Sequence, residues 1–335
     1  MTYSDMTTFN LKKIITGLIL LLTYSNSMAL DVEQYPVLQT LIAKMAAEDG
    51  YPADELTQLL STAEIDQKSL ALMDKQWEAL PWYKYQKLFI NDNRIDLGVK
   101  FWNTYEKTLN RAQQEYGVPP EVTVALIGVE THYGTRIGDK SVLNSLVTLS
   151  AAYPRRSKFF TAELRTFLNM TRNENIEADS VVGSFAGAIG IPQFMPSSYK
   201  AYSVDFNGNG KRDLVNETAD AIGSVANYLA VHGWDSDQAI YSLVDGDIPD
   251  SATTLISKKA KLIHNRDGLV KAGVPFDPAN GSDKTALVSL TQEQGKSYFV
   301  AYKNFYAITR YNPSTNYAMA VTQLSESISA KRSAQ

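Results

Sequence analysis

No cysteine occurs anywhere in this chain. A fold built from it has no disulfide, thiolate zinc site or iron–sulfur cluster to hold it, so buried apolar surface must suffice. The material is there: 335 residues, 44% hydrophobic and 20% charged, allow one large or two modest domains and argue against wholesale disorder. The same absence removes thiol catalysis. Histidine is limited to His132, His232 and His264, from which no HExxH zinc pair can be made. Chemistry must rest on carboxylates, hydroxyls, amides, aromatics, Lys or Arg. The net charge is −4 and no Lys/Arg run exceeds two residues, so nucleic acid is not an expected partner.

Lys12 and Lys13 precede the apolar stretch Ile14 to Leu22, and Ser27-Met28-Ala29 offers small residues where a signal peptidase cuts. Residues 1–29 read as a secretory signal, with Met6 an alternative start. The stretch is short of the roughly 20 helical residues that span a bilayer, which disfavours the competing reading of a permanent anchor. The expected mature protein is exported, and without Cys it has no thiol to carry a lipid.

Helical periodicity dominates the chain beyond residue 29. Leu38, Leu41, Ile42 and Met45 repeat at i, i+3, i+4, i+7, and a second run holds Leu56, Leu59 and Leu60 behind Asp54 as a cap. Leu80-Pro81-Trp82-Tyr83 interrupts before a run from Val99 to Tyr116. Gly117-Val118-Pro119-Pro120 then stops one helix and starts another, Glu121 to Tyr133, with Val122, Ala125, Leu126, Val129 and Tyr133 on its apolar face. Further helices are expected over Ser157 to Met170, Ala219 to His232 and Ser314 to Ser329. Gly183 to Pro192 is too rich in glycine for regular structure, and Val244 to Val300 reads as short strands or irregular loops.

Four features could carry chemistry. Glu130 lies at the edge of an apolar helix face, four residues before Gly134, where that helix should end. Partial burial and the negative helix terminus both push a carboxyl there toward its protonated form, as a general acid requires. A surface glutamate on a helix shoulder is the plainer alternative. Asp205-Phe206-Asn207-Gly208-Asn209-Gly210-Lys211 opens like an EF-hand calcium loop, with oxygen side chains at positions 1, 3 and 5 and Gly at 6. Position 12 is Asn216 where a glutamate is expected, and Asp220 is the natural replacement; an Asn-Gly turn explains the same residues. The Gly-rich segment leading into Gln193-Phe194-Met195-Pro196-Ser197-Ser198 lacks the Lys of a phosphate loop and suits close approach to a neutral polymer. Tyr298, Phe299, Tyr302, Phe305, Tyr306, Tyr311 and Tyr317 fall within twenty residues, either as sugar-binding faces or as core.

Together these segments resemble the lytic murein transglycosylase B family, in soluble and membrane-bound forms. The resemblance is carried by Gly128-Val129-Glu130-Thr131-His132-Tyr133-Gly134, Ser184-Phe185-Ala186-Gly187-Ala188, Gln193 to Tyr199, Asp220 to Tyr228, Arg310-Tyr311-Asn312 and Tyr317 to Val321. It implies a mainly α (α+β) fold: a lysozyme-like helical core with calcium loop at 116–243, an additional helical domain at 30–115 joined by a C-terminal helix at 314–335, and a small β-containing segment at 244–313. It puts Glu130 in the place of the single catalytic acid, and Ser184, Gln193, Phe194, Met195, Tyr228, Tyr311, Asn312 and Tyr317 along the glycan groove.

The calcium ligands it implies are Asp205, Asn207, Asn209, the Lys211 carbonyl and Asp220. This loop is less acidic than those of some relatives, with one residue more before Asp220. The implied reaction cleaves the β-1,4 bond between N-acetylmuramic acid and N-acetylglucosamine in peptidoglycan without water, needs no cofactor, and leaves 1,6-anhydromuramyl ends. The alternatives are a hydrolytic muramidase on the same fold and an inactive peptidoglycan-binding module. The implied setting is the periplasm, where a soluble monomer acts on glycan strands; cell-wall synthesis enzymes are a further class of partner, none identified.

Overall fold

A computed structural model describes residues 30–74, 80–279 and 281–335, so the signal read at 1–29 lies outside the described residues. The first apolar stripe forms the helix Pro36–Glu48 and buries Leu38, Leu41, Ile42 and Met45 together. Ala53–Ser61 follows, burying Leu56 and Leu60. Pro52, not Asp54, occupies its cap position, and Asp54 falls in the first turn without a capping bond; a carboxylate there still complements the positive helix end.

The run expected over Val99 to Tyr116 is two helices, Asp92–Thr104 and Glu106–Tyr116. Asn91 starts the first by accepting the Arg94 N–H at 3.1 Å. Tyr105 separates them, its backbone leaving the helical region while its ring packs on Phe101 at 4.8 Å. Periodicity alone cannot register such a contact.

Gly117, left-handed at φ 72°, ends the second of these, and Pro120 opens Pro120–Thr131. This helix is buried on all sides from Val122 to Val129. The helices Asp92–Thr104, Glu106–Tyr116, Thr218–Val231 and Thr315–Ser333 pack around it. The last of these also returns to Trp82–Phe89, so the chain's end closes onto its N-terminal helices. A helix not foreseen, Val142–Ala152, pairs with Ser157–Asn173. It too is apolar on most sides, which erases the one-faced pattern by which a surface helix is recognised.

The β-containing segment begins at strand Tyr241–Leu243, slightly ahead of the expected boundary, and adds His264–Asn265, Lys284–Thr291 and Lys296–Ala301. They form an antiparallel sheet in which the last strand lies between the first and third, and His264–Asn265 lies at the edge. Val288 faces Phe299 across the central pair. Because strand side chains alternate, Ala286, Val288, Leu290, Phe299 and Ala301 join the main core, while Leu287 and Val300 join a smaller one with Val244, Ile248, Leu269 and Tyr302. The helix Lys303–Tyr311 then leads from the sheet into the C-terminal helix.

Candidate active site

Glu130 sits in the last turn of the central helix, half-buried. The helix stops at Thr131 rather than near Gly134, because His132 and Tyr133 both adopt left-handed backbone, at φ 52° and 62°. Two such residues in a row need over-determined surroundings, and these are present. The His132 N–H reaches the Gly128 carbonyl at 3.2 Å. The Tyr133 ring lies over Gly128, where a Cβ would come within 2.6 Å of it, and its hydroxyl donates to the Arg94 carbonyl at 2.7 Å. The Arg94 guanidinium in turn donates to the Gly128 carbonyl, a cation at the negative end of the helix. Thr131 Oγ1 donates to the Ile191 carbonyl at 2.8 Å, fastening the glutamate's helix to the Gly-rich segment. Burial, with Arg94 and Arg136 nearby, lowers the pKa of His132, so its ring is neutral at pH 7.

That Gly-rich segment forms a tight double turn. Gly183 bridges Ile189, and Ile189 bridges Phe194. A Cβ on Gly190, at φ 71°, would lie 2.3 Å from the Leu214 carbonyl oxygen. Ser184 Oγ accepts the amides of Ala186 and Ala188 at 3.3 and 3.0 Å, so this predicted groove residue also shapes its own turn. Gln193, left-handed at φ 51°, donates from Nε2 to the carbonyls of Ile137 and Gly190 at 3.0 and 2.9 Å. Phe194 is buried, and Met195 is half-buried at the start of the helix Pro196–Tyr202.

The aromatic run divides. Phe299, Tyr302 and Phe305 are core and reach no catalytic group, while Tyr311, half-buried, and Tyr317, buried, stack at 6.5 Å with 13° between ring planes. The Tyr317 hydroxyl donates to Glu130 Oε1, and the Tyr311 hydroxyl donates to the Pro192 carbonyl. Burial first, and then the charge of Glu130, raise both phenols well above the ordinary tyrosine pKa. They remain protonated, and Tyr317 remains a donor. Phe194 and Tyr228 continue the aromatic wall from Tyr311, at 5.7 and 4.7 Å.

The structure thus brings Glu130, Phe194, Tyr228, Tyr311 and Tyr317 together, with Ser184, Gln193 and Met195 on the adjoining turns. Asn312 instead lines a neighbouring cavity of about 690 Å³ that Glu130 does not reach. Sequence reasoning missed Arg94, Thr131 and His232, whose ring stacks on Tyr228 at 4.0 Å. Thr131 belongs to the motif running from Gly128 to Gly134; Arg94 and His232 stand out only through contacts made in the folded chain.

The predicted metal loop is closed by its own side chains. Asp205 accepts the amides of Gly208, Asn209 and Gly210 at 2.8, 3.1 and 2.7 Å. Asn207 and Asn209 accept the amides two residues on, each at 2.9 Å. Asp220, fully buried, accepts from Phe206, Asn207 and Asp213. It therefore ties the next helix to the start of the loop. Among the described residues, no group of three or more His, Cys, Asp or Glu side chains converges as a metal site; amides and a carbonyl make up most of the donor set here.

A buried helix that delivers one glutamate to an aromatic, glycine-walled cleft is the arrangement of the lysozyme-like glycan-cleaving enzymes. Comparison with known proteins narrows the class. The transglycosylase SLT domain family matches residues 33–326. The chain is 41% identical over 313 residues to the membrane-bound lytic murein transglycosylase B of Escherichia coli K12, covering 90% of this chain and 85% of that one. It superposes on E. coli SLT35 in complex with calcium with a TM-score of 0.82 at 42% identity, covering 92% and 98% of the two chains. Pseudomonas aeruginosa SltB3, in complex with NAG-anhNAM-pentapeptide, gives a TM-score of 0.73 at 29% identity over 89% of this chain and 79% of that one. The chain belongs to the SLT transglycosylase family.

Proposed function

We propose that this protein is a lytic murein transglycosylase that cleaves the β-1,4 bond between N-acetylmuramic acid and N-acetylglucosamine, with Glu130 as its acid and then its base. The observation that carries the reading is the hydrogen bond from Tyr317 to Glu130 within a wall of aromatic rings. Glycosidases that use water employ two carboxyl groups, roughly 5 Å apart for retention or roughly 6.5–9.5 Å for inversion. Among the described residues, the carboxylate that acts on both Tyr311 and Tyr317 is Glu130. A single carboxyl group suits a reaction in which the substrate supplies the second function.

Glu130 protonates the oxygen of the departing N-acetylglucosamine as the C1–O bond breaks. The muramyl N-acetyl group stabilises the electron-poor C1. Glu130, now a carboxylate, removes the proton of the C6 hydroxyl, whose oxygen bonds to C1 and closes the 1,6-anhydro ring. The proton returns to the enzyme and no water is consumed. Tyr317 fixes one oxygen of the carboxyl group through both proton transfers. Tyr311, half-buried, offers its face to sugar C–H surfaces with the buried rings of Phe194 and Tyr228 packed against it, and Ser184, Gln193 and Met195 form the adjoining turns of the groove.

Calcium belongs to the reading as a structural ion. Oxygen donors from Asp205, Asn207, Asn209, Lys211 and Asp220 are of the kind a hard cation takes. Asp220 is a fully buried carboxylate without a Lys or Arg partner among the described residues, and a bound cation would balance that charge. The ion would stiffen the loop and takes no part in bond cleavage. Export to the periplasm follows from the signal read at 1–29, and no described helix is long and apolar enough to cross a membrane.

The test is mass spectrometry of murein digested by the purified protein. Anhydromuramyl ends are expected; reducing ends alone would make it a hydrolase, and no cleavage would leave a binding module.

A further inference from the structure

Polar side chains that the fold itself does not use collect on one side of the catalytic aromatics. The cavity of about 690 Å³ that holds Asn312 has apolar wall from Trp82 and Val288, and Lys258 and Lys259 belong to its lining. Both lysines are exposed, and neither makes an ion pair or side-chain hydrogen bond among the described residues. Ser289, Thr291 and Asn312 also line the cavity with side chains that have no hydrogen-bond partner among those residues.

The lysines are held in place by a rigid turn. The Ser257 N–H donates to the Leu287 carbonyl at 2.7 Å, and Ser257 Oγ accepts the Lys261 N–H at 3.0 Å. Ala260, fully buried, takes left-handed backbone at φ 47°, a conformation that persists only where the surroundings impose it. Two ammonium groups presented on such a turn lose little backbone freedom on binding.

Across the cavity runs the segment from Asn312 to Asn316, which joins Tyr311 to Tyr317. Asn316 Nδ2 anchors it to the Leu80 carbonyl at 2.8 Å. The cavity and the Glu130 cleft therefore share a wall, while the cavity stays clear of the carboxyl itself. An occupant would be positioned beside the reacting bond and take no part in proton transfer.

We propose that this cavity binds a carboxylate-bearing peptide branch of the substrate, with Lys258 and Lys259 receiving its carboxylates. The proposal rests on the reading that the protein cleaves murein, whose muramyl units carry short acidic peptides. In peptide-bearing strands each muramyl carboxyl is tied up as an amide, so the glycan backbone itself is neutral and gives two unpaired ammonium groups no counter-charge. A peptide branch supplies carboxylates for the lysines, amides for Ser289, Thr291 and Asn312, and methyl groups for the apolar wall.

The test compares two forms of one glycan, strands that retain their peptides and strands stripped of them by an amidase. The double variant Lys258→Ala, Lys259→Ala is expected to raise KM on the peptide-bearing strands about tenfold, with kcat unchanged and both constants unchanged on bare strands. The Arg, Arg pair is expected to keep the wild-type values. Calorimetric titration of the wild-type protein with the free tripeptide L-Ala-γ-D-Glu-meso-diaminopimelate should show binding that the Ala pair weakens by a similar factor. An equal loss on both substrates, or no loss on either, overturns the proposal. If wild-type protein releases no anhydro ends from either substrate, the functional reading fails, and the tripeptide titration still decides what the cavity binds.

Discussion

Glu130 meets Tyr317 across 187 positions of chain, whereas Asp205 closes its loop on amides three to five residues away. The cleft exists only where the central helix, the Gly-rich turns and the Tyr311–Tyr317 region pack together. The loop carries most of its conformation within its own sequence and needs Asp220 to dock it. Catalytic geometry is therefore a property of the whole core, and the loop is a local unit attached to it. Substitutions in the two regions should differ in kind as well as in size.

The largest effect is expected at the carboxyl group that Tyr317 holds. Glu130→Gln should lower the rate of anhydromuropeptide release by two or more orders of magnitude and leave the unfolding transition nearly unchanged, because the amide keeps an acceptor for Tyr317. A wild-type rate in this variant would move the chemistry elsewhere.

Paired glycines come next. Gly190→Ala forces a Cβ to 2.3 Å from the Leu214 carbonyl at φ 71° and should cost about 3 kcal/mol in denaturant unfolding. Gly208→Ala in the loop meets open space at φ 78° and should cost only about 1–2 kcal/mol, from backbone strain alone. Equal costs would erase the distinction between the two regions.

Tyr317→Phe removes one hydrogen bond to a charged group and is expected to lower kcat about tenfold, with KM little changed. The same phenol gives a pH dependence of known sign. Its folded pKa is raised well above 10.0 by burial and by Glu130. Its contribution to stability is complete below about pH 10 and is lost above it, as unfolded chains ionise and folded ones do not. Wild-type stability measured from pH 8 to 11 should fall more steeply at the alkaline end than that of Tyr317→Phe.

The smallest effect belongs to the loop. Millimolar calcium should raise the unfolding temperature by a few degrees, through binding worth about 1 kcal/mol or more to the folded state. Asp205→Asn should abolish that shift and leave the rate at saturating substrate unchanged. A calcium requirement for turnover itself would tie the loop to the chemistry.

These regions also differ in how far the sequence disclosed them. The stripe Leu38, Leu41, Ile42, Met45 is legible because one face is buried and the other wet. Val142–Ala152 is not, because it is buried nearly all round. The glutamate's helix ends two residues before the point its sequence suggests, since its stop signal is neither Gly nor Pro. It is a pair of left-handed residues held by Arg94 and Gly128. The loop's oxygen spacing stands in plain view. The resemblance to known enzymes put Tyr311 and Tyr317 along the glycan groove, but only the folded chain shows that the buried Tyr317 turns its hydroxyl to Glu130 while Phe299, Tyr302 and Phe305 serve only the core.

The central claim is that one carboxyl group, held by Tyr317, carries both proton transfers and that the substrate's own hydroxyl replaces water. Digesting murein in water enriched in ¹⁸O tests it directly. The account predicts 1,6-anhydromuramyl ends without ¹⁸O at C1 from the first turnover onward. Reducing muramyl ends that carry ¹⁸O at C1 as the primary product would contradict it.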